Sequence, residues 1–398
     1  MIKKEVGIIF DDLTEFYVMQ PALEGLKKNN IKFDIIVSKE KSYSNLAEHT
    51  FNAIKSFGYD IKFKNFQNII YKVLLTPYPK TPIEEEINFI YTIKYPYGSL
   101  CTKPNPVQTV DWNIPYDAIL TFNTIEKYDG YGVRTIPMPY WPSINNKKID
   151  YPKKINGKKD LLILATFGDV CCIDMLNDEA INEIKNKYRI IAKAHHRVDF
   201  HEDERKRLNK LKRISDVYFS SDTPVNSLLK KVDVALSDGS AAIFDSICSE
   251  CPIAIFIDNP NKRHLKKLNT YQYKIIKEGI IPFTNRSDKL LSTIDKALEH
   301  KIISRQKNIK KEIFLPINPN AIEIFVEVIK EYITRDENED TQKIMHDMLK
   351  EKILSYKYEI KKLERKLSVE KQEIEKIQNS TSWKITEPLR YINAKLKN

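Results

Sequence analysis

The chain has 398 residues, with 65 basic against 54 acidic side chains and a net charge of +11, which at roughly 150 residues per domain implies two or three domains. At 42% hydrophobic and 30% charged residues it can bury sizeable cores under a heavily ionised surface, which excludes a disordered tail or a minimal peptide scaffold. No stretch approaches the roughly 18 to 20 consecutive apolar residues of a membrane span, and the longest strong run, Cys251 to Ile257, is strand-sized.

At the N-terminus, Asp11 and Asp12 close the short apolar run Val6 to Phe10, so no secretory signal and a cytoplasmic location are expected. Strands are predicted at Val6 to Phe10, Phe33 to Val37, Asn88 to Lys94, Ala118 to Phe122 and Thr135 to Met138, with a helix over Pro21 to Asn29. Alternating strands and helices of this kind build a doubly wound parallel sheet, here assigned to residues 1–150. Pro137, Pro139, Pro142, Pro152 and the lysine-rich Lys153 to Lys159 suit an exposed connection. The strand pattern restarts at Leu161 to Ala165, Tyr188 to Ala192, Val217 to Ser220, Val232 to Leu236 and Ile253 to Ile257, a second sheet assigned to residues 151–335.

Beyond the acidic run Asp336 to Asp340 the pattern changes. Leu349, Ile353, Tyr356, Ile360, Leu363, Leu367, Ile374 and Ile377 are spaced in alternating steps of four and three, with Glu370 in one seam position. Residues 340–378 are therefore expected to form about four heptads of coiled coil and to make the protein a homo-oligomer; a lone amphipathic helix is the other reading. Residues 379–398 mix basic side chains with Trp383, Leu389 and Tyr391, which suits the inner membrane surface or an acidic partner. No nucleic-acid recognition motif accompanies the excess charge.

Five cysteines are too few and too unevenly placed for a disulfide framework, and Cys171, Cys172, Cys248 and Cys251 are expected to be small buried side chains rather than metal ligands. With only ten glycines in the chain, Gly98, Gly168 and Gly239, each following a predicted strand, mark places where backbone must approach a ligand closely. The segment Val232 to Asp245 runs from a buried strand through a tight Ser237-Asp238-Gly239-Ser240 turn into a helix opening at about Ser240. Its amides, the helix dipole and the hydroxyls of Ser237 and Ser240 would suit a diphosphate, or Ser240 is an ordinary N-cap. Lys193, His195, His196 and Arg197 follow another strand end and can neutralise phosphate oxygens. Neither a Gly-x-Gly-x-x-Gly nor a P-loop motif occurs, and no metal site or cofactor is expected.

The run from Thr223 to Leu229, Ser237-Asp238-Gly239-Ser240, Phe244-Asp245 and Pro252-Ile253 resembles the CDP-glycerol glycerophosphotransferase family of teichoic acid and capsule synthesis. Ala165-Thr166-Phe167-Gly168-Asp169 resembles its Pro-Thr-Trp loop, and Lys193-Ala194-His195-His196 its Lys-Pro-His-Pro, over about residues 160–260. The resemblance implies a GT-B fold, two Rossmann-like domains facing a cleft, with the nucleotide-activated donor in the C-terminal domain and the acceptor in the N-terminal one. It places His195, Ser237, Asp238, Gly239, Ser240, Thr166, Gly168, Lys193 and Arg197 around the donor diphosphate of a metal-independent transferase. The family's second serine is Ala241 here, its tyrosine is Gly239, and in place of its basic His-Gly the chain reads Tyr97-Gly98. Tyr97, with a reference pKa of about 10, is a poor base, so Asp11, Asp12 or Glu15 is the alternative proton acceptor, unless these acids only form the turn and helix cap. The tail Ser380 to Arg390 is similar to one at the ends of bacterial surface-polysaccharide glycosyltransferases, pointing to a lipid-linked or growing glycan acceptor at the inner face of the membrane. A nucleotide-sugar epimerase and a non-catalytic scaffold of a polysaccharide assembly complex are the alternatives.

Overall fold

A computed structural model describes residues 2–37, 44–62, 68–77, 87–96, 116–125, 133–144, 149–154, 157–166, 171–195, 204–257, 271–316, 320–336, 351, 355, 358–359 and 362–376. Residues 1–338 form one unit and residues 339–398 another.

Among the described residues the first sheet holds seven strands: β1 (Ile2–Phe10), β2 (Phe33–Val37), β3 (Ile61–Lys62), β4 (Ile69–Thr76), β5 (Asn88–Lys94), β6 (Ala118–Thr121) and β7 (Arg134–Pro137), in the order β3-β2-β1-β4-β5-β6-β7. Every described pairing in it is parallel. Covered on both faces, β1 buries Val6, Ile8, Ile9 and Phe10 completely, the continuous apolar run that a central parallel strand requires. The central strand β4 was not among the predicted strands. Its Ile69, Val73 and Leu74 also fit helical spacing, and periodicity alone does not separate the two for a run of eight residues.

Helix α1 (Leu13–Lys28) opens on a capping box, and helix α2 (Ser44–Ser56) covers the crossover from β2 to β3. Asn30, at φ +58°, ends α1 in the left-handed conformation that asparagine tolerates.

The second sheet contains β8 (Lys159–Leu164), β9 (Tyr188–Lys193), β10 (Val217–Phe219), β11 (Val234–Ser237), β12 (Ile253–Phe256) and β13 (Phe283–Thr284), all parallel, in the order β10-β9-β8-β11-β12-β13. Both sheets thus reverse winding direction once, between β1 and β4 and between β8 and β11. Ligands of open α/β sheets bind beyond the strand ends at such switch points.

The proline-studded connection differs from the exposed stretch expected: Met138, Tyr140 and Trp141 are fully buried. The Trp141 indole donates to Val18 O at 2.8 Å and packs edge-on against Phe122 and Phe325. The Tyr140 hydroxyl donates to Asp245 Oδ1 at 2.7 Å and accepts from Asn226 Nδ2 at 3.0 Å. The proline rings rigidify a segment whose aromatic residues fill the junction between the lobes. The late helix Ala321–Thr334 returns to the first lobe and packs on α1 and β4.

Residues 362–376 are one continuous helix. The seam positions Leu349, Ile353, Tyr356, Ile360 and Ile377 and the tail 379–398 lie outside the described residues. Among the described residues no helix is long and apolar enough to cross a membrane.

Candidate active site

Strand register assembles the second lobe's candidate site. Leu164, the last residue of β8, is level with Lys193 of β9 on one side and Ser237 of β11 on the other. With neighbouring strands about 4.8 Å apart, Thr166, His195 and the Ser237–Ser240 turn all emerge past the same edge, at the switch point.

The turn is built for a close approach. Gly239 has φ +91°, a conformation that a side chain opposes. Ser237, fully buried, places its hydroxyl 3.1 Å from that of half-buried Ser240. The following helix, Ala242–Cys248, has Ala241 at its N-cap and no side-chain cap, so Ser240 does not cap it as expected. Its main-chain oxygen accepts from Ile243 N at 3.2 Å, while its hydroxyl stays with Ser237.

Asp238 points inward. Its Oδ2 accepts from Thr166 N at 2.8 Å and Cys172 N at 3.3 Å, locking the loop after β8 to the loop after β11. A buried carboxyl bonded to the main chain of two loops braces the turn from behind. Lys193 acts similarly on the other side, donating to Ala194 O and Ser221 O, both at 3.0 Å. Gly168 and Arg197 lie outside the described residues, as does Tyr97 on the acceptor side.

At the switch point of the first lobe, Asp12 Oδ1 accepts from Thr14 N at 3.0 Å and Glu15 N at 3.3 Å, while Glu15 Oε2 accepts from Asp11 N at 2.6 Å and Asp12 N at 3.4 Å. This reciprocal box satisfies orphan amides at the start of α1, so Asp12 and Glu15 form the turn and helix cap that was one of the two expected readings of these acids. Asp11 stands one residue earlier at the end of β1, 5% exposed. Burial, then the nearby Asp11 and Glu15 charges, pushes the Tyr116 phenol well above its ordinary value, so this edge of the lobe is acidic.

A pair that spans the lobes escaped the sequence reading. His49 of α2 places Nε2 2.9 Å from Oδ1 of Asp222, which follows β10. Burial and then Asp222 raise the Tyr17 phenol nearby. No spacing rule links positions 173 residues apart. The four described cysteines, Cys171, Cys172, Cys248 and Cys251, are buried and free. Burial first pushes their thiols up, Cys171 and Cys251 to about 12, far from the thiolate a nucleophile needs.

No family model and no curated protein matches the chain. Solved structures do. A variant of the wall teichoic acid polymerase TagF soaked with CDPG superposes with a TM-score of 0.57 at 12% identity, over 83% of this chain and 89% of that one. S. aureus MnaA with UDP gives 0.53 at 12% identity, covering 85% of this chain and 99% of that one. A UDP-N-acetylglucosamine 2-epimerase gives 0.51 at 14% identity, with the same coverage. With two parallel sheets, each reversing once, and this likeness along most of its length, the chain has the GT-B fold of two Rossmann-like lobes.

Proposed function

We propose that the protein is a transferase that moves a glycosyl or glycerol-phosphate unit from a nucleotide-activated donor to a growing bacterial surface glycan such as capsule, teichoic acid or lipopolysaccharide. The observation that carries this reading is the second lobe's switch point, where Thr166, His195, Ser237, Gly239 and Ser240 emerge together past one sheet edge. The turn amides, the two hydroxyls and the imidazole bind the donor diphosphate, while Asp238 and Lys193 hold the surrounding loops. These groups stabilise the leaving nucleotide in place of a metal ion.

In the reaction an acceptor hydroxyl attacks the transferred carbon or phosphorus, the bond to the nucleotide's phosphate oxygen breaks, and the hydroxyl proton passes to a base. We assign the base to Asp11, the acid at the first lobe's switch point that lies outside the capping box. The basic residues of 379–398 place the enzyme at the inner membrane face, near a lipid-linked acceptor.

Thermal shift against CDP, UDP, GDP, CDP-glycerol and UDP-sugars tests the pocket. One nucleotide at about a hundred times its Kd is expected to stabilise by about 2.7 kcal/mol, and Ser240→Ala or His195→Ala to remove most of that gain. Stabilisation by none of them would sink the proposal. The likeness to UDP-N-acetylglucosamine 2-epimerase favours a second reading, isomerisation of a nucleotide sugar. Turnover of a UDP-sugar without acceptor would select it.

A further inference from the structure

The helix Tyr271–Lys277 lies between β12 and β13 in the chain and buries Gln272, Ile275 and Ile276, a spacing of three and four that shares one helix face. Ile275 and Ile276 belong to the same core as Ile253 and Ile255 of β12, so Gln272 is on the core-facing side, one turn before them. A helix that joins neighbouring parallel strands runs back against them, which leaves its first turn beyond their carboxyl ends. A ring contact agrees: Tyr271 lies 6.4 Å, centroid to centroid, from Phe244, in the helix that opens at Ala242 just after Ser240. Ser237 of β11 is level with Ile255 of β12. The Ser237–Ser240 turn and Gln272 therefore share one edge of the sheet. Gln272 is 1% exposed, yet its Oε1 meets no hydrogen-bond donor among the described residues. A buried carbonyl left unpaired opposes folding, and its neighbour Tyr271 does pair, donating to Glu312 Oε1 at 3.0 Å.

We infer that the Gln272 side-chain amide recognises a hydroxyl group of the donor, on its ribose or on the unit it transfers. The inference rests on the donor-diphosphate reading of the Ser237–Ser240 turn and extends it to specificity. Phosphate oxygens accept hydrogen bonds, so Oε1, itself an acceptor, has nothing to offer them. An alcohol both donates with its O–H and accepts with its lone pairs, and the amide answers both, Oε1 accepting and Nε2 donating. Neighbouring hydroxyls, as on ribose, glycerol or a hexose, fit that pair. An amide whose partner comes from the ligand also discriminates sharply, because an analogue without the hydroxyl leaves it unpaired.

Thermal shift of the full chain tests this with CDP, UDP, CDP-glycerol, UDP-N-acetylglucosamine and the 2′,3′-dideoxy forms of CDP and UDP. Gln272→Met keeps the length of the side chain and removes both polar atoms. Its ligand-free form is expected to melt about 2 °C above wild type, because an orphaned carbonyl is gone. Its affinity for the donor should fall about tenfold. A glutamine that only holds the fold together would not give these opposite signs. A loss on CDP or UDP that the dideoxy forms do not share assigns the ribose. A loss confined to CDP-glycerol or UDP-N-acetylglucosamine assigns the transferred unit. Gln272→Leu is read in the same way. The inference falls if both variants melt below wild type, or if both leave every affinity unchanged. It also falls if they weaken the dideoxy forms as much as their parents, since the amide would then read the base. Wild-type protein stabilised by none of these compounds would sink the donor reading itself.

Discussion

Carboxylates at strand ends do different work here according to what surrounds them. Asp238 bonds loop amides, Asp12 and Glu15 cap a helix, and Asp160 sits at the opposite end of the second sheet in an almost fully buried ion pair with Arg189. Burial alone would raise the Asp160 carboxyl, yet the hydrogen bonds from Arg189 and Tyr151 hold it below its ordinary value. A carboxyl lowered in the folded state adds stability above its unfolded pKa of about 3.9 and loses it as the pH falls through the folded value. Asp160→Asn leaves the Arg189 guanidinium buried and uncompensated, so about 3–5 kcal/mol of stability should be lost in urea titrations at pH 7. The same titrations below about pH 4 should show a smaller difference between variant and wild type. A constant difference at every pH would assign the loss to packing instead of charge.

At the scale of elements, α1 shows how a helix is fixed at both ends and along one face. Its cap uses Asp12 and Glu15, and its buried face includes Gly25, against which the helix Ala321–Thr334 packs. A Cβ on Gly25 would lie 2.2 Å from Ile322 Cγ2 and 3.3 Å from Val326 Cγ2. Alanine at a helix interior is worth about 1 kcal/mol over glycine. Overpacking against a β-branched methyl costs about 1–3 kcal/mol, and at so short a distance the clash wins. Gly25→Ala should therefore lower the thermal midpoint, whereas in an Ile322→Ala background the same change should be neutral or stabilising. A midpoint that rises in the wild-type background would show that the two helices separate freely.

Across the whole molecule, the polar contacts that join the lobes include two whose surroundings rank them. The His49–Asp222 pair is 38% and 41% exposed, so screening by water leaves it worth less than about 1 kcal/mol. Tyr140 is buried, and its hydroxyl bonds a carboxylate, a contact worth about 1.5–3 kcal/mol. Tyr140→Phe should therefore destabilise the fold clearly more than His49→Ala, as read by calorimetry of each variant. The reverse order would mean that the exposed pair, and not the buried junction, holds the lobes.

The sequence by itself determined the tandem parallel sheets, because buried parallel strands need continuous apolar runs and those runs are visible as such. It also marked the Ser237–Ser240 turn, since a turn this tight needs Gly239. Its fit to β4 was ambiguous, because a short apolar run satisfies two periodicities at once. Only the tertiary structure decided that Asp12 and Glu15 cap a helix, that Asp238 faces inward and that Tyr140 and Trp141 fill the junction between lobes. It alone brought His49 to Asp222. Residue type and spacing state what a side chain is able to bond; the packing of segments far apart in the chain states which partner is within reach.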